Sequence, residues 1–175
     1  LGANEIPALW PDEPSRQPLR VVVDSRLRMP CDARMLQLPG ATLVATCEDS
    51  PRAIARANAA GAEVQVFPRD PEGRVDLHIF LCYLAEREIN EVLIEAGPTL
   101  AGAALQAGVL DELLIYQAPH AMGDGARGLF HLPGLERMDQ RIALRIDDVR
   151  QIGVDLRLTL RPLRDDQPRN RICED

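Results

Sequence analysis

Short apolar, β-branched runs alternate along this chain with stretches of helical spacing, and prolines, glycines and capping residues mark the switches. That alternation constrains the fold more than any other feature. Parallel neighbours in a sheet need a crossover, usually a helix, so strand and helix in turn point to an α/β fold with a mainly parallel sheet. Residues 19–24, ending Val22-Val23-Asp24, read as a buried strand, and 41–47 repeat the pattern. Ser50 as N-cap, Pro51 as first helical residue and Gly61 as terminator predict a helix over 50–60. Residues 63–67 read as the next strand. Asp76 can cap a second helix, in which Leu77, Phe80, Leu81 and Leu84 recur at helical spacing and give one face to bury. Residues 91–95 predict a strand, 98–106 a helix and 111–117 a strand. The pattern then changes: residues 141–151 and 154–160, flanking Ile152-Gly153, have the spacing of an antiparallel hairpin. Helices are therefore expected on both faces of the sheet, with the hairpin at its C-terminal edge.

Residues 1–17 hold Pro7, Pro11 and Pro14 beside Pro18 and show no apolar period, so they read as a loop. Residues 163–175 read as a charged tail, which leaves 18–162 as one domain. The chain is 46% hydrophobic and 27% charged, the balance of a soluble globular protein rather than a disordered one. Its longest apolar run, 79–85, is shorter than the about 20 residues that cross a bilayer, and residues 1–5 lack the basic start of a secretory signal. No membrane role and a cytoplasmic location follow as expectations. A formal charge of −7 argues against a nucleic-acid partner, because phosphate neutralisation needs clustered cations. Cys31, Cys47, Cys82 and Cys173 lie far apart without metal-ligand spacing and read as free thiols. His78, His120 and His131 form no metal motif either, so no metal is expected.

The segment richest in chemistry is 95–103, where the predicted strand passes into the predicted helix. Gly97 permits a tight turn and Pro98 suits the first helical position. A helix start of this kind offers unpaired N–H groups and the positive end of the dipole to a phosphate. Ala101, Gly102 and Ala103 are small enough for close approach by a ligand or a neighbouring strand. Taken alone, a Gly-Pro start serves simple helix packing more often than anion binding. The segment is no P-loop, because Ala103 and Ala104 stand where Lys and Ser or Thr are required. Glu95 at the strand's carboxyl end is what lifts it, since open α/β sheets place their ligand crevice there.

The string Val92-Leu93-Ile94-Glu95-Ala96-Gly97-Pro98-Thr99-Leu100-Ala101-Gly102, followed by Asp111-Glu112-Leu113 and Ala118-Pro119, resembles the reductase domain of bifunctional riboflavin-biosynthesis deaminase-reductases. Arg20-Val21-Val22-Val23-Asp24-Ser25-Arg26-Leu27-Arg28 and Gly123-Asp124-Gly125-Ala126-Arg127 match further blocks in the same order, so the resemblance runs from about 17 to 162. It implies a dihydrofolate-reductase-like fold and NADPH-dependent reduction of 5-amino-6-(5-phosphoribosylamino)uracil, a phosphoribosylated pyrimidine, to its ribitylamino product. It also implies that Gly97, Pro98, Thr99, Leu100, Ala101, Gly102 and Ala103 form the cofactor loop, that Ser25 contacts NADP, and that Glu95 touches the substrate. A homodimer is expected from the same source. Each assignment has a plainer counterpart: Glu95 as a solvated strand end, Asp24 and Ser25 as a turn or cap pair, Arg127 as a surface arginine.

The resemblance further implies an opening strand, helix and strand and an Asp-Asp-Pro-x-Leu-x-x-Arg motif with a catalytic aspartate. None of these is in the sequence, where Pro11-Asp12-Glu13-Pro14 is a poor imitation, so the domain reads as incomplete at its N-terminus and no catalytic residue is assigned. Missing strands leave unpaired edges, which makes aggregation or a completing partner an expectation. The alternative function is a non-catalytic nucleotide-binding or dimerisation fragment.

Overall fold

The computed structural model describes residues 17–163, and the chain divides into two compact units, Leu1–Asp76 and Leu77–Asp175. Each has its own three-stranded sheet, parallel in the first and antiparallel in the second. The expected α/β class, with its terminal hairpin, is the one found.

In the first unit β1 (Arg20–Val23), β2 (Thr42–Thr46) and β3 (Glu63–Val66) pair in parallel with β2 central. Val22 lies opposite Val44, which lies opposite Val64. All five residues of β2 are buried, as a central parallel strand must be when both faces are covered. On one face Val44 joins Leu27, Ala57 and Ala62, with Ile54 and Val64 packed against them. Ala57 and Ile54 come from α1 (Pro51–Ala59), which starts at Pro51 as expected. Ser50 occupies the cap position, but its side chain makes no cap hydrogen bond; the helix start rests on Pro51 and on the Ile54 N–H donating to the Ser50 carbonyl at 3.0 Å. Gly61, at φ 96°, ends it.

A turn after β3 is braced by Asp70. The Arg74 N–H donates to Asp70 Oδ1 at 2.7 Å and the Arg74 Nε to Oδ2 at 3.0 Å, while Gly73 supplies the positive φ of 76°. Burial pushes the Asp70 carboxyl up, but the hydrogen bonds from Arg74 and its positive charge outweigh that and hold the carboxyl below its ordinary value. A carboxyl depressed by folding contributes stability above its unfolded pKa, about 4, and loses it as pH falls through the folded value. Asp70→Asn is therefore expected to destabilise the first unit near neutrality and to match the wild type in strong acid. Urea midpoints from pH 7 downward check this; a difference that stays constant with pH refutes it.

The second unit holds α2 (Leu77–Glu86), α3 (Pro98–Gln106), β4 (Leu113–Gln117), β5 (Leu144–Ile152) and β6 (Asp155–Pro162), with β6 between β4 and β5. Phe80 and Leu84 are the buried positions of α2, on the face that the spacing predicted. The hairpin turn is Gly153-Val154, one residue later than expected, because Ile152 pairs with Asp155. Gly153 carries φ 63°, and a type II′ turn places its glycine at the first central position. A bulge between Ile146 and Asp148 shifts the register of β5.

The strand expected over 91–95 is not formed. Residues 90–97 have no regular secondary structure, and Leu93 is 77% exposed. The apolar pattern there is genuine, but a strand also needs a ladder partner for its N–H and C=O groups, and among the described residues this segment has none.

Candidate functional site

The start of α3 is built as its residues dictate. Gly97 occupies the N-cap with φ −70° and ψ 172°, Pro98 follows as the first helical residue, and no side chain caps the end. The Ala101 N–H donates to the Gly97 carbonyl at 3.1 Å, so the N–H groups of Thr99 and Leu100 have no partner within the helix. Thr99 and Gly97 are exposed, Pro98, Leu100 and Ala101 half-buried. No atom lies within 4 Å of where a Gly97 side chain would begin, and no acidic residue sits in the first turn. An exposed helix start with two free donors, open space and no acidic residue in its first turn is chemically suited to a phosphate or diphosphate. Glu95, two residues before Gly97, is exposed and follows no strand.

Gly102 and Ala103, in the same predicted loop, are buried. A side chain at Gly102 would overlap the carbonyl oxygen of His131 and lie 3.0 Å from its carbonyl carbon. The close approach read from this small residue is thus made by backbone of the same unit.

Ser25 belongs to the first unit. It follows β1, at the carboxyl end of a parallel strand, where α/β sheets place ligands. Asp24 Oδ2 accepts from the Met29 N–H at 2.7 Å and Oδ1 from the Arg26 N–H at 3.3 Å, so the Asp24 side chain braces the turn. Ser25 Oγ accepts from the Val75 N–H at 3.1 Å, and the Ser25 hydroxyl also bonds the Cys47 side chain, which draws the thiol's pKa down. Leu27 is buried at φ 50°, a conformation that bulky residues adopt only when the surroundings enforce it. Sequence reasoning missed this strain; the Asp at a strand end, able to bond its own backbone two residues on, was the available signal for the turn.

Arg127 is exposed in the glycine-rich stretch after β4, and His78, His120 and His131 are exposed. Among the described residues no group of three His, Cys, Asp or Glu is placed to hold a metal ion. Cys31, Cys47 and Cys82 are free thiols, and Cys173 lies outside the described residues. Burial pushes the Cys47 thiol above its ordinary value, against the pull of the Arg69 charge, so it is a poor nucleophile.

Residues 2–158 match the RibD C-terminal domain. Riboflavin biosynthesis protein RibD of Escherichia coli (strain K12) is 39% identical over 153 residues, covering 87% of this chain and 40% of that protein. The 5-amino-6-(5-phosphoribosylamino)uracil reductase of Buchnera aphidicola subsp. Acyrthosiphon pisum (strain APS) is 30% identical over 155 residues, 89% of this chain and 72% of that protein. Among solved structures, RibD of Acinetobacter baumannii superposes with a TM-score of 0.70 at 32% identity, over 82% of this chain and 37% of that one. This chain spans about two fifths of the length of the RibD proteins it matches. Its fold is dihydrofolate-reductase-like, as the resemblance implied. No helix among the described residues is long and apolar enough to cross a membrane.

Proposed function

Because this chain belongs to the RibD C-terminal domain family, we propose that it is an NADPH-dependent reductase of riboflavin biosynthesis, converting 5-amino-6-(5-phosphoribosylamino)uracil to the ribitylamino compound. The observation that carries this reading is the start of α3, where the family's motif coincides with an exposed helix terminus whose Thr99 and Leu100 N–H groups are free. NADPH, when bound, would supply the hydride for reduction at the ribosyl C1′.

The protein's own residues bind and orient. Gly97 leaves room for the cofactor's diphosphate, and Thr99 and Leu100 donate to it, with Pro98 fixing the backbone direction. Ser25 would meet the cofactor with a hydroxyl that Val75 and the Cys47 side chain already hold in place. Glu95 holds the ribose hydroxyls of the substrate or takes the proton that favours the ring-opened imine. The enzyme works in the cytoplasm as a homodimer under this reading.

Calorimetric titration with NADPH tests it, with Gly97→Asp as the comparison. At φ −70° and with open space, Gly97 accepts a side chain without strain, and an aspartate at an N-cap is favourable to the helix itself. Its carboxylate would compete with the cofactor phosphates for the same N–H groups. The variant is expected to keep its melting temperature and to bind NADPH about ten-fold more weakly or worse. Wild-type protein that neither binds NADPH nor oxidises it with the pyrimidine substrate would sink the proposal; equal binding by the variant would move the cofactor off α3.

A further inference from the structure

Two backbone contacts one helical turn apart join residue 131 to α3. The His131 N–H donates to the Pro98 carbonyl at 2.9 Å, and the His131 backbone lies against Gly102, where an added Cβ would overlap its carbonyl oxygen and stand 3.1 Å from its nitrogen. Positions four apart share one helix face, so the chain at 131 runs along the side of α3 and grips its opening turn. Gly102 is buried by this contact, while the His131 side chain is exposed and plays no part in it.

We infer that Gly102 is a positioning residue: its missing side chain lets the His131 backbone seat on α3, and that seat aims the Thr99 and Leu100 N–H groups at the cofactor. The inference rests on the NADPH reading above but differs from it in mechanism. Gly102 acts through residue 131 and makes no contact of its own with the cofactor. The Pro98 carbonyl points away from any ligand at the helix start, and its bond to the His131 N–H holds the first turn from behind. A Cβ at 102 meets backbone atoms rather than the end of a flexible side chain, so the seat must open to admit it.

The test uses the full chain with three substitutions. His131→Ala keeps every backbone contact and is expected to bind NADPH within about two-fold of wild type. His131→Pro removes the N–H that holds Pro98, and Gly102→Ala forces the seat apart; each is expected to raise the KM for NADPH about ten-fold, with kcat at saturation little changed. Loss of stability alone would not move the KM of the folded fraction. His131→Pro with native affinity beside a weakened Gly102→Ala would mean that Gly102 touches the cofactor directly, and would overturn the inference. Amide exchange covers the case in which a variant does not fold: the His131 N–H of the wild type is expected to be protected, and free exchange there removes the seat. If the wild type binds no NADPH, the functional reading fails, and the seat stands or falls on that exchange alone.

Discussion

Leu43→Ala is expected to lower the stability of the first unit by about 2–5 kcal/mol. Leu43 is 0% exposed and sits in β2, between Val21 of β1 and Glu63 of β3. The backbone there is held by ladders on both sides, so the space left by the lost carbons cannot close by a small shift of the strand. The cost is therefore the lost transfer free energy of the removed atoms together with the cavity that persists. Leu114 of β4 gives the contrast: it is 52% exposed, and its truncation should cost well under about 1 kcal/mol. Native-state amide exchange at Leu43 to Thr46 reads the opening free energy of the strand itself. A fall below about 1 kcal/mol for Leu43→Ala would mean that β2 is not the centre of a closed core.

Glu95→Gln is expected to reduce kcat/KM for the pyrimidine substrate by roughly 10²–10³, the scale of a lost acid–base contribution. The substitution keeps the side chain's size and its capacity to accept one hydrogen bond, but removes the charge and the proton acceptor. NADPH affinity should stay within about three-fold, because the donors proposed for the cofactor are Thr99 and Leu100 and no acidic residue lies in their turn. Glu91, exposed four residues earlier, serves as the control, and Glu91→Gln should leave turnover unaltered. Equal activity of Glu95→Gln and wild type would return Glu95 to the role of a solvated loop carboxylate. A parallel loss of NADPH binding would place it at the cofactor instead of the substrate.

Much of the fold is legible from local pattern. Pro51 and Gly61 bracket α1, Pro98 opens α3, and Leu77, Phe80, Leu81 and Leu84 mark out α2, because proline geometry, glycine freedom and helical spacing act within a few residues. Within β1, Val21, Val22 and Val23 announce a strand for the same reason. Local pattern puts the hairpin turn one residue early, since only the pairing of Ile152 with Asp155 fixes which two residues form the loop. The helix start at Gly97 was visible as a candidate site because its chemistry is that of four consecutive residues.

What the sequence determined by itself is the order and kind of these elements, the start of α3 with its free donors, and the family blocks that identify it. All of these depend on neighbours along the chain. The tertiary structure alone decided three things. Val92, Leu93 and Ile94 are apolar and extended in pattern yet form no strand, because a ladder requires a partner that local sequence does not name. Gly102 is small for the His131 backbone, because close approach involves a segment far along the chain. Leu27 bears a positive φ because its side chain is drawn into the core beside Val44, Ala57 and Ala62, and that burial is a sum over residues which meet only after folding.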